Sequence, residues 1–360
     1  MTTIPHVVCG VIPPHILERV AGDTTVEASE NARATLEHMR ELATGSAHTL
    51  LPAGEEAPPH AERRRVYDAG RSFELPGRLV LTSEDSPVCD VEAREAWNGS
   101  GATIDFFERV FGRRSIDDRG MRLDATVHYG TRFENAMWNG RQMVYGDGDG
   151  RIFQRFTASL DVIAHELTHG VTQHSAALGY SGQTGALNEH ISDAFGIMVR
   201  QYTLGQSADE SDWLIGAELF GSEVRGCAVR SLAFPGTAYD HPILGRDPQP
   251  FHMDDYVRTA ADNGGVHINS GILNHAFYLA AMAIGGKTWE VLGRIWYVAL
   301  TDRLWPEADF ADFTQATIDI AGEIYGRGSK VQRSVIAAWT GVGLHAPVPF
   351  GPEARRRRPA

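Results

Sequence analysis

Cysteine is scarce in this 360-residue chain: there are three, Cys9, Cys89 and Cys227, far apart and odd in number. That excludes a disulfide framework and any zinc site built from cysteine alone. Net positive charge is missing as well, with 33 Lys and Arg against 46 Asp and Glu, a formal −13. A groove that tracks phosphates needs local positive charge, so nucleic acid is not an expected partner. No apolar run approaches the roughly 18 residues of a membrane span, so no membrane partner is expected either. Residues 1–10 have neither the basic start nor the apolar core of a secretory signal. What is present, 42% hydrophobic and 22% charged residues, suffices for a packed core and excludes wholesale disorder.

Texture changes along the chain. Residues 1–50 hold one expected helix, over 24–43, with Val26, Leu36, Met39 and Leu42 as its large apolar residues. Residues 51–65, LPAGEEAPPHAERRR, are rich in proline, alanine and charge and read as an exposed linker. The RRR in it is a solvated charge run or a protease-accessible spot. From 66 to about 151 the texture is of strands and turns, as in GRLVLT, ATVHY and RQMVYGDGDGRIF. From 157 to about 342 it is helical. Residues 346–360 form a loose basic tail. No internal repeat interrupts this order.

The segment from Ser159 to His169, SLDVIAHELTH, carries the densest chemistry. Ser159 suits an N-cap, and Asp161 lies in the first turn, where the helix dipole favours a negative charge. At about 100° per residue, Leu160, Ile163, Ala164, Leu167 and Val171 form one apolar stripe. His165 and His169 sit on the opposite side, one turn apart, with Glu166 beside them. Two imidazoles at that separation can share one metal while the carboxylate reaches water. A helix with two satisfied surface histidines has the same pattern, so a third ligand is needed.

GALNEHISDAFG, residues 185–196, places Glu189 and Asp193 four apart on one helix face. Glu189 would complete a His, His, Glu set with one position open, as catalytic zinc requires. Asp193 would then accept from the free nitrogen of a ligating histidine. The plainer reading is a solvated acidic face. In DNGGVHINSG, residues 262–271, two glycines allow a tight path, and Asp262 would hold His267 in one tautomer and favour its charged form. Read alone, that is a loop histidine with a capping aspartate.

HELTH, then GALNEHISDAFG with nineteen residues between His169 and Glu189, then DNGGVHINSGI, resembles the thermolysin family of zinc metalloendopeptidases. The resemblance runs from about 66 to 342. It implies an α+β, two-lobed fold, with a β-rich lobe over 66–174 ending in the HELTH helix, a helical lobe over 175–345, and zinc in the cleft between them. It implies His165, His169 and Glu189 as zinc ligands, Glu166 as general base, and Tyr180 and His267 as stabilisers of the transition state. Asp193 would orient His165, and Asp262 would orient His267. Asn135, Ala136 and Trp138 match an edge strand that holds substrate extended, and Arg230 matches an arginine on a substrate carbonyl. Phe153, Phe156, Val162, Ile215, Leu219 and Val229 match a pocket for a large apolar side chain just after the cut. The rival class is a pseudoprotease that only binds peptides.

Residues 11–17, VIPPHIL, are similar to the Pro-Pro motif of prosegments in the protealysin-like branch. That implies an inhibitory prosegment over 1–50, removed by self-processing within the linker, with Cys9 as a zinc-ligand candidate or a small buried residue. At the positions where large relatives bind paired calcium ions, this chain has Asp161, Arg200, Asp212, Leu214 and Ala217. Two acids are too few for that pair. Arg200 is expected to bridge Asp161 and Asp212 in place of the ion. Expected partners are peptide or protein substrates, the chain's own prosegment and a proteinaceous inhibitor, for a monomeric enzyme. With no signal peptide read in the sequence, the chain is expected to be cytoplasmic as made, with secretion by an unconventional route left open.

Overall fold

The computed structural model describes residues 10–23, 28–43, 63–84 and 90–345. Cys9, most of the linker and the basic tail lie outside them. Two helices come first, α1 (Pro14–Gly22) and α2 (Ser29–Ala43). The helix expected over 24–43 is α2, described from Ser29 onward. α1 is an addition, and its sequence signal is Pro13-Pro14: an extended N-cap followed by a proline at the first helical position, where a missing N–H costs nothing.

A five-stranded sheet follows, built from β1 (Arg64–Asp68), β2 (Arg78–Leu81), β3 (Leu123–Val127), β4 (Ala136–Trp138) and β5 (Met143–Tyr145). Its order is β2-β1-β3-β5-β4. The inner pairs β1–β3 and β3–β5 are parallel, while β2 and β4 are antiparallel edges. β4 therefore has one side of its backbone turned away from the sheet. Arg64 and Arg65 belong to β1, so the linker stops short of 65. Arg64 is not a solvated charge either: its guanidinium lies 4.1 Å from the Trp97 ring centroid and donates to Trp97 O.

The strands-and-turns texture expected over 66–151 is broken by a 21-residue helix, α3 (Val91–Phe111). Asp90 caps it by accepting from Ala93 N at 2.8 Å, and Gly112 ends it at φ 73°. Its centre, Gly99-Ser100-Gly101, is poor helix former, which hides it from propensity. Packing explains the choice. A Cβ at Gly99 would run into the Ile163 side chain of the next helix.

That helix is α4 (Leu160–Gln173), and α5 (Gly182–Leu204) and α6 (Asp262–Ile284) pack in succession behind it. Every residue of α4 from Asp161 to Thr172 is buried, so the histidine face opposite the apolar stripe is covered too. Ser159 precedes α4 without capping it; its hydroxyl lies 2.8 Å from both Asp161 Oδ1 and Glu218 Oε2, which share its one proton. A short ribbon, β6 (Leu214–Ile215) paired with β7 (Arg230–Ser231), sets Ile215 opposite Arg230. Helices α7 (Thr288–Val298), α8 (Phe310–Tyr325) and α9 (Lys330–Gly341) complete the helical part, with Trp296 and Trp339 stacked 5.8 Å apart. No helix of the described residues is long and apolar enough to cross a membrane.

His128, just past β3, ties three elements together. Its Nδ1 lies 2.8 Å from Asp147 Oδ1 in the loop after β5, and its Nε2 lies 2.9 Å from Asp90 Oδ2 at the start of α3. Hydrogen bonding to Asp147 outweighs burial and, with Asp90, raises the imidazole from its ordinary 6.5 to about 9. A raised folded pKa gives stability that is fully present below 6.5 and is lost as pH climbs through 9. His128→Gln should therefore cost about 1–2 kcal/mol at neutral pH, after discounting for partial exposure. Urea unfolding should show that gap closing above pH 9; an equal gap at both pH values would refute the charge argument.

Candidate active site

One turn apart on α4, His165 and His169 bring their Nε2 atoms to 3.1 Å. From α5, Glu189 places Oε2 3.6 Å from His165 Nε2 and Oε1 3.3 Å from His169 Nε2. The outer ring nitrogens are fixed. His165 Nδ1 lies 2.8 Å from Asp193 Oδ1, and His169 Nδ1 lies 2.9 Å from Asn188 Oδ1. Asn188 donates its amide to Leu178 O at 3.3 Å, which turns its oxygen toward His169. Asp193 and Asn188 both accept, so each neutral ring keeps its proton on Nδ1 and turns its Nε2 lone pair inward. Two lone pairs and a carboxylate then converge where water is excluded, an arrangement that repels itself unless a cation sits among them. A tetrahedral ion with bonds of about 2.0–2.1 Å sets its ligand atoms roughly 3.3–3.4 Å apart. The three residues fit such an ion. Glu189 and Asp193 are fully buried, which overturns the solvated-face reading.

Glu166 is buried beside this set and accepts from Trp138 N at 2.9 Å. Burial raises its carboxyl to about 8. Tyr180 donates to Glu189 Oε1 at 2.5 Å and stands 3.3 Å from His267 Nε2. His267 belongs to α6 rather than to a loop, yet the glycines still matter. Asn263, Gly264 and Gly265 take φ values of 49°, 89° and 78°, a left-handed stretch that folds Asp262 back onto the histidine. Asp262 accepts from His267 N at 2.9 Å and lies 2.6 Å from its Nδ1. Burial opposes charge on His267, but Asp262 and Glu189 outweigh it and lift the imidazole to about 9.

Sequence comparison decides the family. The chain matches thermolysin metallopeptidase, catalytic domain, over residues 59–173, and thermolysin metallopeptidase, alpha-helical domain, over 176–344. It belongs to the thermolysin family of metallopeptidases. Among relatives, it is 49% identical over 338 residues to an extracellular metalloprotease of Pectobacterium carotovorum subsp. carotovorum, covering 94% of this chain and 96% of that one. Protease PrtS of a Photorhabdus species is 43% identical over 342 residues, 93% and 92% of the two chains. Among solved structures, the precursor of protealysin, a metalloproteinase from Serratia proteamaculans, superposes with a TM-score of 0.84 at 46% identity. It covers 93% of this chain and 99% of that one.

In this thermolysin-family cleft, Arg230 does two things. It forks onto Asp193 through Nε and Nη2 at 2.8 and 2.9 Å, and it donates from Nη1 to Val11 O at 3.2 Å. The fork, with His165, holds the Asp193 carboxyl well below the usual range despite its burial, and Asn274 donates to it at 2.8 Å. Val11 N donates to Ala136 O at 3.1 Å, and Ile12 N donates to Asn135 Oδ1 at 3.0 Å. Asn135 returns an amide proton to Ile12 O at 3.3 Å. Thus Asn135, Ala136 and Arg230, expected to hold substrate backbone, hold the segment before α1. Trp138 differs: its amide serves Glu166, and its indole donates to Gln173 at 2.8 Å. Phe153, Phe156, Val162, Ile215, Leu219 and Val229 are all buried. Asn188, Asn274 and the Arg230–Asp193 fork escape sequence reading.

Arg200 reaches both Asp161 and Asp212, and the two contacts are unequal. The fork goes to Asp212, at 2.9 and 2.8 Å, while Asp161 Oδ2 is 3.4 Å away. Glu218, beside the expected fifth position at Ala217, adds a third carboxylate 3.4 Å from Nη2. Asp161 is fully buried, and burial together with Glu218 raises it to about 6 against the pull of Arg200. Arg200→Ala should destabilise the protein by about 3 kcal/mol, because it strands a buried carboxylate. Arg200→Lys should lose less than Arg200→Ala, since it keeps the charge without the fork. Urea melts of the two variants test this; equal stability of Arg200→Ala and the parent would place Arg200 outside the fold's charge balance.

Proposed function

We propose that this chain is the zymogen of a zinc endopeptidase that prefers a large apolar residue just after the cut. The observation that carries the reading is the convergence of two inward lone pairs and a carboxylate, next to backbone-binding groups already engaged by Val11 and Ile12. His165, His169 and Glu189 would hold a zinc ion, which when bound would supply a Lewis acid for the scissile carbonyl and for water. Glu166 takes the proton from the attacking water and passes it to the leaving nitrogen. Burial raises its carboxyl above the ordinary carboxylate range, which makes its ionised form a stronger base. His267, kept cationic by Asp262, and the Tyr180 hydroxyl donate to the carbonyl oxygen as negative charge grows on it. Asn135 and Ala136 hold the substrate extended, and Arg230 binds the carbonyl after the cut. The apolar side chains of Phe153, Phe156, Val162, Ile215, Leu219 and Val229 receive the side chain there.

Residues 1–50 act in this reading as a cover. Val11 and Ile12 use the hydrogen-bonding groups that a substrate would use, so cleavage before β1 and loss of the segment opens the cleft. The Pectobacterium relative is named an extracellular protease, and the mature form of this chain is assigned the same place of action. A peptide-binding pseudoprotease is not supported, with Glu166 and His267 in place and relatives named as proteases. In the same reading Arg200 replaces calcium by a fixed cation.

Glu166→Gln should keep its zinc, lose nearly all casein hydrolysis and stay full length. His169→Ala should lose both zinc and activity, since two ligands hold the ion poorly. Metal content, casein cleavage and electrophoresis of the purified chains check this, and trimming of Glu166→Gln at the parental rate would refute self-processing. A calcium-selective chelator, with zinc saturating, should leave the melting temperature unchanged; a fall of about ten degrees would mean that more than a kcal/mol of stability depends on calcium.

A further inference from the structure

Each helix of the N-terminal segment reaches the body of the protein through a histidine set on a tyrosine. On α1, His15 Nε2 lies 2.8 Å from Tyr239 Oη, while its Nδ1 is buried with no hydrogen-bond partner. Charged groups from two other elements face it. His267 of α6 and Arg230 of β7 disfavour a second positive charge there, and Asp262 of α6 favours it. On α2, His38 Nε2 lies 2.8 Å from Tyr129 Oη. Its ring stacks on Phe73 at 3.9 Å and meets Phe133 edge-on at 5.9 Å. The acid against it is Glu41 of its own helix, 3.7 Å away and exposed. Nearby, Glu134 donates its amide to Thr35 of α2, and its buried carboxyl, raised to about 9, stays neutral between pH 5 and 8.

We propose that these two histidine–tyrosine contacts make the N-terminal segment an acid-released cover, in which charging His15 and His38 lifts Val11 and Ile12 out of the cleft. The inference rests on reading residues 1–50 as an inhibitory segment. A neutral imidazole needs only the tyrosine hydroxyl; a charged His15 would bury a second N–H donor without an acceptor, beside His267 and Arg230. Burial and these two cations lower His15 from 6.5 to about 4, and burial lowers His38 in the same direction. A depressed docked pKa means that docking has full strength above 6.5 and weakens as pH falls toward 4. For His15 alone, the docking equilibrium should weaken roughly 30-fold between pH 7.5 and pH 5.

The test uses the full-length Glu166→Gln protein with zinc bound. Amide hydrogen exchange is followed at pH 7.5 and pH 5 for the peptide carrying Val11 and Ile12, corrected for intrinsic rates, with α5 amides reporting on global unfolding. Protection at Val11 and Ile12 should fall by about 30-fold or more at pH 5, while α5 falls less. His15→Gln, which can still bond Tyr239 but cannot titrate, should lose most of that pH dependence, and the double variant with His38→Gln should lose nearly all. Protection that does not change with pH, or that falls as far in the double variant, overturns the switch and leaves the cover intact. Should the double variant misfold, seen as lost α5 protection, the parental pH profile alone decides. No protection of Val11 and Ile12 at pH 7.5 overturns the cover itself, and the switch with it.

Discussion

Fully buried between α4, α5 and β7, the Asp193 carboxylate meets His165, Arg230 and Asn274 at once. An isolated carboxylate there would be protonated or expelled, because burial alone costs several kcal/mol. Arg230 keeps it charged, and the charge fixes the His165 tautomer that turns Nε2 inward. The proposed metal site and the proposed substrate-carbonyl site are therefore mechanically one object: moving Arg230 disturbs His165, and moving α4 disturbs Arg230. That coupling depends on a close crossing of helices. A Cβ at Gly196 would stand 2.7 Å from Asp161 O, so only glycine lets α5 approach α4 closely enough for Glu189 and Asp193 to reach the histidines.

The parts of the site legible in the sequence are those whose geometry is local. His165 and His169, or Glu189 and Asp193, are four residues apart, and helical spacing alone puts each pair on one face. Asp262 and His267 are five apart, and a glycine pair announces the bend between them. Pairings made by tertiary folding have no such signature. Arg230 and Asp193 are 37 residues apart, and Asn274 and Asp193 are 81 apart. The fold was legible on the same terms. Helices with a clear apolar stripe, α2 and α4, were visible, whereas α1 is only nine residues long and α3 hides behind glycines chosen for packing on α4. His128 hides because its partners lie 19 residues after it and 38 before it, each on a different element.

The proposed competition for the cleft would follow from chemistry that is blind to the origin of the peptide. Asn135, Ala136 and Arg230 recognise backbone amides and carbonyls, and any extended segment supplies those. A tethered segment does so at high effective concentration, so weak individual bonds suffice to hold it. Affinity beyond the backbone must come from contacts that a passing substrate lacks. The apolar side chains of α1, Ile16, Leu17 and Val20, and Met39 and Leu42 of α2 supply them. If the segment is an inhibitor, as proposed, these helices are what sets it apart from a substrate.

Charges in the cleft are matched pairwise, and the exception is informative. Asp193 faces Arg230, Asp262 faces His267, and Asp161 faces Arg200. Glu189 lies among imidazoles, where a divalent ion fits. Glu166 has no such direct partner: its hydrogen bond comes from a neutral backbone amide, that of Trp138. A buried carboxylate next to a cation would be a poor base, since its pKa would drop with the pairing. For Glu166, burial outweighs the pull of His169, the Trp138 amide and Arg230, and its carboxyl rises to about 8. That lack of a cationic hydrogen-bond partner is what suits Glu166 to the proton transfer proposed for it.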